Sequence, residues 1–307
     1  MSFIDRLDAI DRRWIFAMMA CAVAIPIIVI GMTGVRFPEV PGPTSTAAFE
    51  AIEALPDGAK VLFSFDFDPA SAGELQPMAN AFMRHLGQKK AKVYCQTLWA
   101  PAPPLIEDTL KKCLLARNPD LVYGVDYLNL GYQAGNEGVM KVITTDYKQS
   151  FPTDAKGTRT SEIPMMQGIE NTSSFDLIVV VSAGYPGSKE WVQYVVSPTL
   201  GKERPIQLVA GVTGVSAPQL VPYFPVQMKG MLAAIKGAAE YEFMVNEVIE
   251  AANPGRPLPP AFMEAQRRMA PQLFGHLLMV GLIIVGNTIF FLKRRQSRRG
   301  GTMGAAA

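Results

Sequence analysis

Residues 175–183 read FDLIVVVSA. A strand with one wet face alternates apolar and polar residues, but the core of this run, 177–181, is continuously apolar. That pattern predicts a strand covered on both faces, as in a parallel sheet flanked by helices. On either side the chain alternates strand and helix signals. Upstream, strands are expected at 59–67 (AKVLFSFDF), 91–98 (AKVYCQTL) and 120–131 (DLVYGVDYLNLG). Between and after them, helices are expected at 71–87, 103–117 and 136–148. The first of these is amphipathic, with Leu75, Met78, Ala79, Phe82 and Leu86 on one side. Downstream, a helix over 188–200 ends at Pro198, a strand follows at 204–214, and 218–250 finishes as a long helix after its early prolines. Strands joined by helices imply crossover connections. The expected fold class is α/β, a three-layer, doubly wound, mostly parallel sheet of about five strands. The polar segment 150–174 reads as an excursion from the core.

Composition points beyond this domain. The chain has 307 residues, 49% hydrophobic and 18% charged, with a mean hydropathy of +0.15. Soluble domains average about 25% charged residues. The apolar excess is concentrated in two stretches without formal charge, 14–35 and 269–292. About 20 apolar residues span a bilayer core, so both are expected to be transmembrane helices. Pro26 in the first is tolerated in a membrane helix. No small-x-small cleavage site follows that stretch, which favours an uncleaved anchor over a signal peptide.

The domain organisation that follows is 1–13 as a cytoplasmic N-terminus, 14–35 as the first span, and 36–54 as a linker. The α/β domain occupies 55–252, a second linker 253–268, the second span 269–292 and a basic tail 293–307. Basic residues flank both spans: Arg12 and Arg13 before the first, and Lys293, Arg294, Arg295, Arg298 and Arg299 after the second. Of 29 Lys+Arg and 27 Asp+Glu, three of each lie in 1–13 and five cations lie in the tail, which leaves 21 and 24 between the spans. Cations prefer the cytoplasmic side. Both termini are therefore expected in the cytoplasm of a cell with this protein in its (inner) membrane, and the domain outside.

In open parallel sheets ligands bind beyond the carboxyl ends of the strands. The expected rim is Asp66, Asp68, Thr97, Asp126, Ser182, Tyr185, Thr213, Gly214 and Ser216. Within it, 211–218 (GVTGVSAP) is glycine-spaced before a helix start, so its amides are candidates to cradle an anion. Asp66 and Asp68, two apart at a strand end, are candidate metal ligands for Mg²⁺ through oxygen. In the bland alternative they cap the next helix. FDFDPAS (65–71) resembles the first motif of haloacid-dehalogenase-type phosphatases, D-x-D-x-T/V after an apolar strand. The resemblance would make one Asp the nucleophile. It spans about ten residues, departs at Ala70, and lacks the family's later acidic pair after 175–183.

Other chemistries find little footing. The turn after the first strand, DFDPASAG, excludes a G-x-G-x-x-G dinucleotide loop. There is no P-loop and no G-x-S-x-G elbow. Two histidines in the whole chain make a His-rich metal site unsupported. The one in the domain, His85, sits where surface exposure is the default. Cys95 and Cys113 form either one disulfide or two separate buried thiols. Gly230, Ala233, Ala234, Gly237 and Ala238 are expected on one face of the long last helix, packing on the sheet or on another subunit. A net charge of +2 excludes a strongly basic nucleic-acid binder.

The functional expectation is a membrane-anchored extracytoplasmic module, a binding or scaffold subunit of a membrane assembly. Its partners are the lipid bilayer and other membrane proteins or further copies of itself, with no nucleic acid. No cofactor is called for beyond Mg²⁺. The alternatives are a receptor for a small polar or anionic solute and a metal-dependent hydrolase using Asp66 and Asp68. Without a complete catalytic constellation, the reading leans away from an enzyme.

Overall fold

A computed structural model describes residues 11–34, 39–252, 254–255 and 258–303, with side chains as far as Arg295. Residues 1–10, 35–38 and 304–307, positions 253, 256 and 257 of the second linker, and the side chains of Arg298 and Arg299 lie outside the described part.

The chain forms two compact units, one running from residue 38 to 266 and the other combining the two terminal parts. In the terminal unit, helix α1 (Arg12–Thr33) starts at Asp11, whose side chain accepts from the Arg13 N–H, and stops at Gly34 in the left-handed region. Much of its apolar side-chain surface is exposed, Ile25, Ile27 and Ile28 among it. A second helix, Glu264–Met303, exposes Leu277, Ile283, Ile284, Phe290 and Phe291. Both helices are long and apolar enough to cross a membrane.

The domain begins earlier than the sequence suggests. Helix α2 (Pro43–Glu53), within the expected linker, buries Ser45, Ala48 and Ile52. Then β1 (Lys60–Asp66), α3 (Ala72–Gln88), β2 (Lys92–Thr97) and α4 (Pro103–Thr109) follow, the last continued by a π-helical segment Leu110–Leu115. Next come β3 (Tyr127–Tyr132), α5 (Glu137–Ile143), α6 (Tyr147–Ser150) and β4 (Leu177–Ser182). After α7 (Ser188–Glu190) and a π-helical segment Trp191–Val196 come β5 (Leu208–Val212), α8 (Ala217–Leu220), β6 (Gly230–Ala233) and α9 (Ala234–Ala252). The terminal helix Glu264–Met303 is α10.

All six strands are parallel, in the order β3-β2-β1-β4-β5-β6. This is a doubly wound sheet, and its switch point lies between β1 and β4. β4 is buried along its whole length, as its apolar run requires. On one face Phe63 and Phe65 stack at 4.3 Å, Phe63 meets Phe82 of α3 at 6.3 Å, and Phe82 meets Tyr241 of α9 at 4.7 Å. On the other, Leu62, Tyr94, Ile178, Val180 and Leu208 pack with Trp191 and Val195.

The sixth strand corrects the expected count. Gly230–Ala233 reads as the start of a helix, yet it pairs with β5, and α9 begins only at Ala234. Ala234 takes φ 56°, a left-handed turn that separates strand from helix. The small residues therefore do not share one helix face. A Cβ on Gly230 would lie 2.2 Å from the Ala48 nitrogen, so its glycine lets α2 lie against the strand. β3 also starts later than expected, at Tyr127.

The polar segment 150–174 does not stand away from the core. Phe151, Ile163, Met165, Met166 and Ile169 are all buried within it. Apolar residues spaced irregularly between polar ones give no periodic signal, so only docking reveals their role. His85 is fully buried rather than exposed, with Nδ1 2.7 Å from the Tyr241 hydroxyl and Nε2 2.8 Å from Glu53. Cys95 and Cys113 are free thiols, both buried.

The end of the second linker is part of the domain as well. Phe262 is buried, with the Arg84 guanidinium 4.5 Å and the Arg117 guanidinium 5.2 Å from its ring centre. Its carbonyl accepts from Asn246 Nδ2 at 2.8 Å. Glu242, fully buried in α9, accepts from the backbone N–H groups of Ala265 (2.8 Å) and Gln266 (3.2 Å). Those are amides of the first turn of α10, which have no partner within their own helix.

Candidate functional site

The carboxyl edge of the sheet sets the site. β1 ends on Asp66 and β4 on Ser182, which are paired in register across the switch point. Asp66 lies on the same face of β1 as Leu62 and Ser64, because side chains alternate along a strand. It is completely buried. One carboxylate oxygen accepts from the Leu98 N–H at 2.9 Å, and the other from the Ser64 hydroxyl at 2.9 Å and Trp191 Nε1 at 2.8 Å. Burial pushes its pKa up to about 6, against the pull of these three donors. Asp68 instead accepts from the Ser71 N–H at 2.9 Å, and that bond holds its pKa below the usual carboxylate range. Asp66 thus ties β2 and the helix after β4 to β1, while Asp68 closes the local turn. Among the described residues, no group of three or more His, Cys, Asp or Glu side chains is placed to hold a metal ion.

Internal hydrogen bonds cross the switch point. Trp191 is fully buried beneath Asp66. Trp99, just after β2, donates from Nε1 to the Pro186 carbonyl at 2.7 Å. Thr97, also buried, donates to the Phe65 carbonyl at 2.6 Å and accepts from the Trp99 N–H at 2.9 Å.

Asp126 is not on this edge. It precedes β3 and accepts from the Val122 N–H at 2.8 Å, so it lies at the amino end of the strand. The expected strand had begun at residue 120, and the later start moves Asp126 to the opposite edge. The glycine-spaced amides of 211–218 are also engaged within the fold. The Gly214 N–H donates to Glu74 at 3.0 Å. The N–H groups of Ser216 and Ala217 donate to the Thr213 carbonyl. Thr213 also donates its hydroxyl to Ser216 at 3.1 Å. The chain's own Glu74 carboxylate thus takes the Gly214 amide.

Three of the expected residues do come together. Ser182, Tyr185 and Ser216 line a cleft of about 340 Å³ beside the ends of β4 and β5, with Lys189, Glu190 and Gln219. Ser182 Oγ sits 2.7 Å from Ser188 Oγ and accepts from the Ser188 N–H at 2.9 Å. Gly187 makes this turn possible, because a Cβ there would lie 2.1 Å from the Gly184 carbonyl. Tyr185 is exposed and hydrogen-bonds Glu137, which pushes its pKa up to about 12. Glu190 accepts from the Gly187 N–H at 2.9 Å. The cleft therefore offers hydroxyls, one ammonium and one carboxylate. It is equipped to hydrogen-bond a small polar group. The hydroxyl that neighbours Ser182 Oγ is that of Ser188.

Lys189, Glu190 and Gln219 were not anticipated from sequence. The signal was available in part: SKE (188–190) directly follows the turn after the most apolar strand, where α/β sites form. Glu74 had none, because it reaches Gly214 from a helix remote in sequence.

Comparison with protein-family models, curated proteins and solved structures finds no match. What the geometry defines is a class: a doubly wound parallel α/β domain on a chain with two helices of membrane-spanning length.

Proposed function

We propose that the chain is an integral membrane protein whose α/β domain serves as a binding or scaffold subunit of a membrane assembly, held outside the cytoplasm by both ends. The observation that carries this reading is the set of internal hydrogen bonds at the switch point. Where doubly wound enzymes place substrate or cofactor, Asp66 is bonded to Trp191 and Trp99 to the Pro186 carbonyl. A domain whose strand-end carboxylate is used for such internal ties, on a chain with two membrane-length helices, is suited to presenting a surface to neighbours. The acid-free tail with Lys293, Arg294 and Arg295 supports cytoplasmic termini.

Cysteine labelling tests the topology. In a background without the native cysteines, Ser161→Cys at an exposed position should react with an impermeant maleimide in intact cells or spheroplasts. Ser297→Cys should react only after lysis. The reverse pattern overturns the orientation. Crosslinking and native purification test the scaffold role, and a chain that emerges alone, with a measurable turnover, overturns it.

A second reading rests on the cleft beside β4 and β5, which supports a receptor for a small polar solute. It predicts that Lys189→Ala and Gln219→Ala abolish any thermal stabilisation found in a metabolite screen.

A further inference from the structure

One cavity of the domain lies away from the carboxyl edge of the sheet. It has a volume of about 720 Å³ and is lined by three cations, Lys111, Lys112 and Arg117, and by Leu258, Pro259 and Phe262 among its apolar residues. Among the described residues, none that line it is acidic. Lys112 forms an ion pair with Asp108 at 2.8 Å across one helical turn, and its side chain remains exposed. Lys111 is exposed. The lining thus combines cations from residues 111–117 with apolar side chains from residues 258–262.

The apolar lining residues have a particular position in the chain. Leu258, Pro259 and Phe262 belong to the segment that runs directly into α10, a helix of membrane-spanning length. Arg267 and Arg268 follow within the first turns of that helix. The segment is held firmly: the Phe262 ring lies against Arg84 and Arg117, and its carbonyl is bonded to Asn246. A cavity lined by both cations and apolar side chains suits an amphiphile with an anionic head. A soluble phosphate would use only the cations.

We propose that this cavity binds the phosphate headgroup of an anionic phospholipid, with Lys111 and Lys112 facing the phosphate and the Leu258–Phe262 side against the glycerol and upper acyl chain. The site would tie the domain to anionic lipid through a segment that precedes α10 in the chain. The proposal rests on the reading of the chain as a membrane protein. Alkaline carbonate extraction separates the two, because release of the chain from membranes overturns that reading and leaves the lipid titration to be judged alone.

The test uses the full chain purified in a mild detergent. Phosphatidylglycerol, phosphatidylcholine and inorganic phosphate are titrated separately and followed by native mass spectrometry and thermal unfolding. The expected result is one phosphatidylglycerol retained more tightly than phosphatidylcholine. Each cation near an anionic headgroup contributes roughly a fivefold factor. Lys111→Gln with Lys112→Gln should therefore weaken retention about 25-fold. Lys293→Gln with Arg294→Gln in the tail should leave that lipid bound. Asp108→Asn removes the ion pair but keeps both lysines, so it should retain the lipid and show that the pair itself is not what matters. If the double glutamine variant unfolds, Lys111→Arg with Lys112→Arg replaces it and should keep the preference. Equal retention of the two lipids, or undiminished binding in the glutamine variant, overturns the proposal. So does loss of the lipid in the tail variant. Protection by inorganic phosphate matching that by phosphatidylglycerol overturns the lipid assignment in favour of a soluble anion.

Discussion

Replacing Asp66 with alanine strips the acceptor from two buried donors, the Leu98 N–H and the Trp191 Nε1–H, which end on its carboxylate at 2.9 and 2.8 Å. Ser64 loses a partner too, but a hydroxyl can rotate toward another acceptor. A buried donor left unsatisfied costs about 1–3 kcal/mol, so the pair amounts to about 2–6 kcal/mol. The carboxyl has a second signature. Burial holds its pKa at about 6 instead of 3.8. At 1.36 kcal/mol per tenfold change in proton affinity, that offset is on the order of 3 kcal/mol. The folded-state value lies above the unfolded one, so the stability is present in full below about pH 3.8 and is lost as pH rises through about 6. The alanine variant has no such titration. Its penalty should therefore be largest near pH 4 and shrink by on the order of 3 kcal/mol toward pH 8. Tryptophan fluorescence during thermal unfolding of the detergent-solubilised chain reads both effects. For a domain of this size, 1 kcal/mol moves the midpoint by roughly 2–4 °C, so near pH 4 the midpoint should drop by about 4–24 °C. A variant as stable as the parent, or a penalty that grows with pH, refutes the assignment of Asp66 as a structural tie. A parent stabilised by Mg²⁺ through Asp66 refutes it equally and supports the metal reading.

Three further outcomes follow from the same geometry. Burial pushes Glu242 up to about 7, so the parent should also lose stability as pH rises from about 4.5 through 7. Glu242→Gln keeps an oxygen for the Ala265 and Gln266 amides and should flatten that slope in a series of thermal midpoints. Gly230→Ala forces a Cβ to within 2.6 Å of three Ala48 atoms; overpacking of this kind costs about 1–3 kcal/mol, whereas Gly138→Ala, with nothing within 4 Å, should leave the midpoint unchanged or raised. Phe262→Ala removes the ring packed against Arg84 and Arg117, at a cost of about 3–5 kcal/mol for a buried aromatic. Hydrogen exchange over 258–266 should accelerate first, and uniform protection would contradict the anchoring role.

The fold class was legible in sequence because parallel strands are apolar on both faces and crossover helices are amphipathic. LIVVV at 177–181 and the stripe from Leu75 to Leu86 depend only on local periodicity. The two membrane-length helices were legible for the same reason, since their length and lack of charge are local properties. The sixth strand was not. Gly230–Ala233 is short, built of residues equally at home in a helix, and contiguous with α9; only pairing with β5 and the backbone turn at Ala234 distinguish it. The rim divided along the same line. Ser182, Tyr185 and Ser216 follow strand ends whose positions were read correctly, and they share a cleft. Asp126 lies at the other edge because β3 starts only at Tyr127. The roles of Asp66, Gly214 and His85 were set by partners remote in sequence: Trp191, Glu74 and Tyr241. Periodicity records which face of an element is buried. What a polar group on that face meets depends on which other segments arrive there, and tertiary packing alone decides that.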